Sequence, residues 1–135
     1  MEKLEFDIGI VEYEIPGGGV LRFNPADPGL YGRFAAAEQK LTALETELTE
    51  KSKAADPKGL LELMNEADAK AKQLLGEVFG PNNDFHKALG GISLLAACGN
   101  GKTLAENLFG ALGKVLEQGA DRLVAGKIAA AKGQL

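Results

Sequence analysis

Hydrophobic and polar positions change period along the chain, and the changes mark out its elements. Residues 3–15 alternate as a strand does, with Leu4, Phe6, Ile8 and Ile10 on one face and Glu5 and Asp7 on the other. The phase then slips by one. Val11, Tyr13 and Ile15 continue on odd positions, with Glu12 and Glu14 between them, and a bulge near Gly9 would absorb the slip. Pro16-Gly17-Gly18-Gly19 is a strong turn signal, and Val20-Leu21-Arg22-Phe23 returns as a second strand. The pattern predicts a β-hairpin over residues 3–23. Two strands alone are marginal in water, so this hairpin must pack on helices or on another subunit.

Beyond Asn24 the period becomes helical. Asp27 is a good N-cap and Pro28 fits the first helical position. Leu30, Phe34, Ala37, Leu41, Leu44 and Leu48 come next at steps of 4, 3, 4, 3 and 4, a heptad seam on a helix running to about Ala55. Asp56-Pro57 repeats the start signal, and Leu60, Met64, Ala67, Ala71, Leu74 and Val78 repeat the same steps. Two seamed helices separated by one Asp-Pro break predict an antiparallel helical hairpin. The seams suit core packing within one domain or contact with another subunit. Gly80-Pro81-Asn82-Asn83 stops the second helix. A shorter third helix is expected after it, with Phe85, Leu89, Ile92 and Leu95 inward, ending at Gly99. A last helix runs from Thr103 to about Ala131, with an apolar stripe of Leu104, Leu108, Leu112, Val115, Leu116 and Leu123. Gly110, Gly113, Gly119 and Gly126 interrupt it, each costing up to about 1 kcal/mol relative to alanine. Such a helix needs packing to hold it, and its glycines would let another backbone approach closely. The predicted fold is therefore mainly α with a small N-terminal β-hairpin: one domain over residues 1–135, with about four helices filling 28–131.

Composition fits this picture. The chain holds 20 Leu and 20 Ala against 5 Val and 5 Ile, so helix formers dominate. With 135 residues it can bury roughly two thirds of the surface its unfolded chain exposes. The net charge of −4 is uneven: residues 1–50 hold 10 acids and 4 bases, residues 51–135 hold 9 acids and 11 bases. Neither half has the dense basic patch of a nucleic-acid binder. No apolar run approaches the roughly 20 residues that cross a bilayer, and the opening Met1-Glu2-Lys3-Leu4-Glu5 has no apolar signal core. A single cysteine, Cys98, cannot form an internal disulfide. The expected compartment is the cytoplasm.

Candidate chemistry is sparse. Ala96-Ala97-Cys98-Gly99-Asn100-Gly101-Lys102-Thr103 ends like a phosphate-binding P-loop, after an apolar run Ile92-Ser93-Leu94-Leu95. A P-loop sits at the end of a parallel strand in an α/β sheet, and the residues after Thr103 read as helix. Thr103 with Glu106 reads more simply as a capping box, with Gly99 and Gly101 supplying the turn before it. His86 is the sole histidine and has no partner set for a base or a metal. Cys98 reads as a small core residue. The carboxylates lie between apolar residues or on polar helix faces, as solvated surface does. No enzyme activity, cofactor or metal is expected.

The order of elements carries a resemblance. The acidic hairpin leads into Phe23-Asn24-Pro25-Ala26-Asp27-Pro28-Gly29-Leu30-Tyr31-Gly32-Arg33-Phe34, which resembles a segment of the tail assembly chaperones of long-tailed, siphovirus-type bacteriophages and Gram-positive prophages. Glu77-Val78-Phe79-Gly80 and Lys87-Ala88-Leu89-Gly90 resemble the family's turn between middle helices. Leu104 to Leu116, with Glu106-Asn107-Leu108-Phe109 inside it, resembles its closing amphipathic helix. The likeness covers residues 4–124 in layout, and its motifs are short and degenerate. Residues 97–102 depart from the pattern by their glycines and cysteine. The resemblance implies a viral protein without catalysis that binds the tape measure protein and keeps it soluble in the host bacterial cytoplasm. It also implies self-association into a homo-oligomer, the tail-tube protein as a second partner, and absence from the mature virion. Leu108, Phe109, Leu112 and Leu116 are the expected partner-binding positions, on a stripe that equally suits a core. No nucleic acid or membrane partner is expected. A structural or adaptor protein of a phage tail or related assembly is the alternative, and a P-loop nucleotide-binding protein a distant third.

Overall fold

The computed structural model describes residues 1–133, with side chains through Lys127. Two short antiparallel strands precede four helices: β1 (Val11–Glu14), β2 (Val20–Phe23), α1 (Pro28–Ser52), α2 (Pro57–Phe79), α3 (Phe85–Ala88) and α4 (Leu104–Gly133). The mainly α fold with an N-terminal hairpin is thus as the pattern predicts, and α1 and α2 pack closely along their length. No helix among the described residues is long and apolar enough to cross a membrane.

Both Asp-Pro signals act as expected. Asp27 accepts from the Gly29 amide at 2.8 Å and Asp56 from the Gly59 amide at 2.7 Å, each with proline at the start of the helix. These caps satisfy amides that have no partner inside the helix. The Arg33 guanidinium donates to the Val78 carbonyl at 2.9 Å and ties the start of α1 to the end of α2. The seams meet as predicted, but they divide in two. Of the predicted positions, Leu30, Ala37 and Val78 lie in the main core, whereas Leu41, Leu44, Leu48, Leu60, Met64 and Ala67 are only half-buried; so is Leu74, and its neighbour Leu75 is buried instead. The far halves of α1 and α2 therefore form a two-helix arm with partly open flanks.

The hairpin is shorter than predicted. The ladder pairs Val11 with Phe23 and Glu14 with Val20, and residues 3–10 are not in a strand. They have no neighbouring strand, and period-2 alternation alone does not supply one. What holds the paired part is an aromatic chain. Tyr13 stacks on Phe23 at 4.9 Å, Phe23 meets Phe79 edge-on at 4.9 Å, and Phe79 contacts Phe85 at 5.4 Å. Asn83 mimics a third strand. Its side chain accepts from the Arg22 amide at 2.7 Å and donates to the Arg22 carbonyl at 2.8 Å.

The third helix is also shorter than the 85–99 expected. Gly90 and Gly91, both at positive φ, end it after one turn, and residues 92–103 form turns closed by a bridge between Ala97 and Thr103. Ile92, expected inward, is 50% exposed, and Leu95 is half-buried. Thr103 accepts from the Glu106 amide at 3.2 Å, the N-cap half of the predicted capping box. Helix α4 then buries Leu108, Leu112 and Leu116 against the hairpin and α1. Among its glycines, Gly119 meets another backbone: a β-carbon there would lie 1.9 Å from the Pro25 carbonyl oxygen. Gly110, Gly113 and Gly126 face open space.

Candidate functional site: two apolar recesses beside the last helix

Helix α4 separates two open recesses. The first, about 370 Å³, lies between the hairpin and α4, with Tyr13, Ile15, Leu21 and Phe23 on one wall and Leu104, Leu108, Leu112 and Val115 on the other. The second, about 610 Å³, lies between the two-helix arm and the opposite flank of α4. Phe34, Leu41, Leu44 and Leu48 line it from α1, and Ala67 and Ala71 from α2. Leu94 and Leu95 close one end, and Ala105, Phe109 and Gly113 supply the α4 side. Because Gly113 faces open space, the α4 backbone itself is approachable at that point. The carboxylates of Glu38, Glu45 and Glu106 stand around this groove, and among the described residues no lysine or arginine lines it.

The four positions expected to bind a partner do not form one surface. Leu108 and Leu112 are buried and floor the first cleft, and Leu116 is buried in the core and lines neither recess. Phe109 is half-buried and reaches the second groove, where its ring meets Phe34 edge-on at 6.4 Å. Leu41, Leu44 and Leu48 belong beside it as lining residues. The heptad count placed them on a seam without showing that α4 stops short of covering them.

The wall formed by Leu94 and Leu95 is fixed by a polar knot that no motif announced. Lys72 Nζ donates at 2.9 Å to each of Asp68 Oδ2, His86 Nδ1 and the Ile92 carbonyl. Asp68 Oδ1 accepts from the Leu94 amide at 2.8 Å. Asp68 is 9% exposed and Lys72 7%, so this is an ion pair inside the protein. An ammonium only donates, so His86 Nδ1 accepts and the ring proton sits on Nε2. All three Lys72 protons and both Asp68 oxygens are used, and no described buried side-chain nitrogen or oxygen lacks a partner. The knot is a clasp between α2 and the segment after α3. It anchors the 92–95 segment to α2.

The P-loop-like segment is a tight turn. Residues 92–95 are not a strand, the Cys98 amide donates to the Lys102 carbonyl at 2.8 Å, and the Thr103 hydroxyl is engaged as the α4 cap. The Lys102 amide donates to Asn100 Oδ1 at 3.2 Å and the Gly101 amide to the Cys98 carbonyl at 3.1 Å, so these two donors are engaged within the turn. Cys98 is half-buried on this turn. No cluster of histidine, cysteine and carboxylate groups among the described residues could hold a metal ion. What the arrangement offers chemically is apolar surface with an acidic border. Comparison with protein-family models, with curated proteins and with solved structures gives no match.

Proposed function

We propose that the chain is a non-catalytic holding protein that takes the apolar stripe of a client helix into the groove between the α1–α2 arm and α4. The observation that carries this reading is the groove itself: about 610 Å³, open, walled by Leu41, Leu44, Leu48 and Phe109, and floored by bare backbone at Gly113. Helix-in-groove recognition uses anchors on one face of the incoming helix, and a glycine on the receiving helix lets the two axes come close. The acidic border selects a helix whose apolar stripe is flanked by lysine or arginine.

The resemblance in the sequence names the client. A tail assembly chaperone covers the long helical tape measure protein, and one groove per copy suits that task. Many weak contacts along one long client sum to firm but reversible coverage. The chain is therefore proposed to keep the tape measure protein soluble in the host cytoplasm until tail-tube subunits assemble around it.

The test is co-expression with the long helical product of the neighbouring tail gene. The reading expects that product to become soluble and to co-purify with this chain. A client that stays insoluble and unbound, with this chain retained instead in assembled tails, would replace the chaperone reading with that of a structural adaptor.

A further inference from the structure

The first ten residues are an extended arm with apolar side chains in water. Leu4, Phe6, Ile8 and Ile10 are all exposed, Phe6 at 75% and Ile8 at 60%. Beside the arm, β1 has an open edge. The Arg22 amide and carbonyl both bond to Asn83, so they point away from β1, and those of its ladder partner Glu12 point away from β2. By alternation the Glu14 amide and carbonyl point the same way. Among the described residues, no backbone bond engages either residue on that outer side. On the inner face of the same strand, Tyr13 and Ile15 border the 370 Å³ apolar cleft. The chain's own arm lies elsewhere: Asn24 Nδ2 donates to the Ile8 carbonyl at 3.0 Å, and Ile8 and Ile10 border a different recess.

We propose that the occupant of this edge and cleft is the arm of a second copy of the chain, exchanged reciprocally across a two-fold axis at Val11. The phase slip fixes the register. Gly9 sits at φ +74°, the left-handed conformation in which a strand accommodates one extra residue as a bulge. Counting Gly9 and Ile10 as that bulge, antiparallel pairing about Val11 puts Ile8 opposite Tyr13 of the second copy and Phe6 opposite its Ile15. Ile8 and Phe6 then each meet an apolar residue, on the face Tyr13 shares with Phe23, Leu4 comes opposite Gly17 at the cleft, Ile10 lies in the bulge opposite Glu12, and the Phe6 and Leu4 side chains enter the cleft. Without the slip, the same axis sets Ile8 against Glu14 and Ile10 against Glu12. The segment is self-complementary only because its pattern reverses phase. Open edges and exposed alternating strands are also what proteins otherwise cover or blunt. Asp7 comes to lie opposite Glu14 of the other copy, a like-charge pair that added salt screens.

The test uses the purified full-length chain alone, so its outcome is separate from that of the client experiment. Sedimentation equilibrium is expected to show a dimer that tightens with added salt. Phe6→Asp and Ile8→Asp should each weaken it at least about 100-fold, because the two-fold axis counts each loss twice. Both side chains are exposed in the single chain, so its helical circular dichroism should be unchanged. Val11→Cys in a Cys98→Ser background should form a covalent dimer under mild oxidation, because a residue facing its own copy in a non-hydrogen-bonded pair has Cα atoms about 4.5 Å apart, within disulfide reach. A wild-type chain that stays monomeric to millimolar concentration overturns the proposal, as does a dimer indifferent to Phe6→Asp. A dimer that depends on Phe6 but gives no Val11→Cys crosslink overturns the two-fold register.

Discussion

Asp68→Ala removes the centre of the knot that holds the groove's end wall. The carboxylate accepts from Lys72 Nζ at 2.9 Å and from the Leu94 amide at 2.8 Å, in a setting where both charged residues are buried. Alanine would leave the Lys72 ammonium buried with only His86 and the Ile92 carbonyl as acceptors. Breaking a buried pair in this way costs about 3–5 kcal/mol. The orphaned Leu94 amide adds about 1–3 kcal/mol. The two losses share a site and do not add fully, so a total of about 4–6 kcal/mol is expected. A domain of this kind is stable by only about 5–15 kcal/mol, so the variant should be marginally folded. With a urea m-value of about 2 kcal/mol per molar, the unfolding midpoint should fall by roughly 2–3 M. Removing both charges in Asp68→Ala with Lys72→Met should recover most of the loss, since a buried ion pair as a whole contributes little net stability. A drop below about 1 kcal/mol for Asp68→Ala would refute the reasoning, because it would mean that water already solvates the pair.

The geometry of α4 gives two further perturbations. Gly119→Ala would set a methyl 1.9 Å from the Pro25 carbonyl oxygen and 2.5 Å from its carbon. These are backbone atoms, so the melting temperature should fall by an amount equivalent to about 1–3 kcal/mol despite alanine's better helix propensity. Gly113→Ala faces open space and should stabilise the fold by up to about 1 kcal/mol. Its methyl would stand on the groove floor, so client co-purification should weaken in the more stable protein. Tyr31 gives the pH dependence: its hydroxyl lies against the Pro25 and Leu116 carbonyls, and burial raises its pKa above the ordinary value of 10. A raised folded-state pKa means that its contribution is complete below pH 10 and is lost as pH rises through the folded value. Urea unfolding of Tyr31→Phe against wild type should therefore show a smaller alkaline fall in the variant. Equal alkaline slopes would contradict this.

The helical part of the fold was legible because its signals are local. Two Asp-Pro caps and two runs of apolar residues at steps of 4 and 3 specify α1 and α2 without reference to the rest of the chain. The hairpin and the third helix were over-extended for a shared reason. Alternation at 3–10 marks a residue pattern suited to a strand, but a strand needs a partner, and this chain pairs only residues 11–14. Apolar spacing at 85–95 likewise suits a helix, but Gly90 and Gly91 at positive φ end it first. The candidate site was half legible. Phe109 could be found as part of an apolar stripe, and Leu108, Leu112 and Leu116 carry the same signal while lying buried. Spacing cannot separate the two, because the lack of cover over Leu41 and Leu44 is a fact about where α4 lies. Asp68 and Lys72 stand four apart on α2, a spacing visible in the sequence, but nothing marked the pair as buried, since His86, the Ile92 carbonyl and the Leu94 amide come from another segment, as Arg22 does for Asn83.

The claim that the groove holds the client is tested most directly by co-purification of the tape measure protein with Leu44→Glu beside Leu61→Glu. Leu44 lines the groove half-buried, and Leu61 is 62% exposed and lies outside it. The account predicts that Leu44→Glu releases the client while Leu61→Glu retains it, with both variants equally helical. Full retention by Leu44→Glu, or equal loss by both, would contradict it.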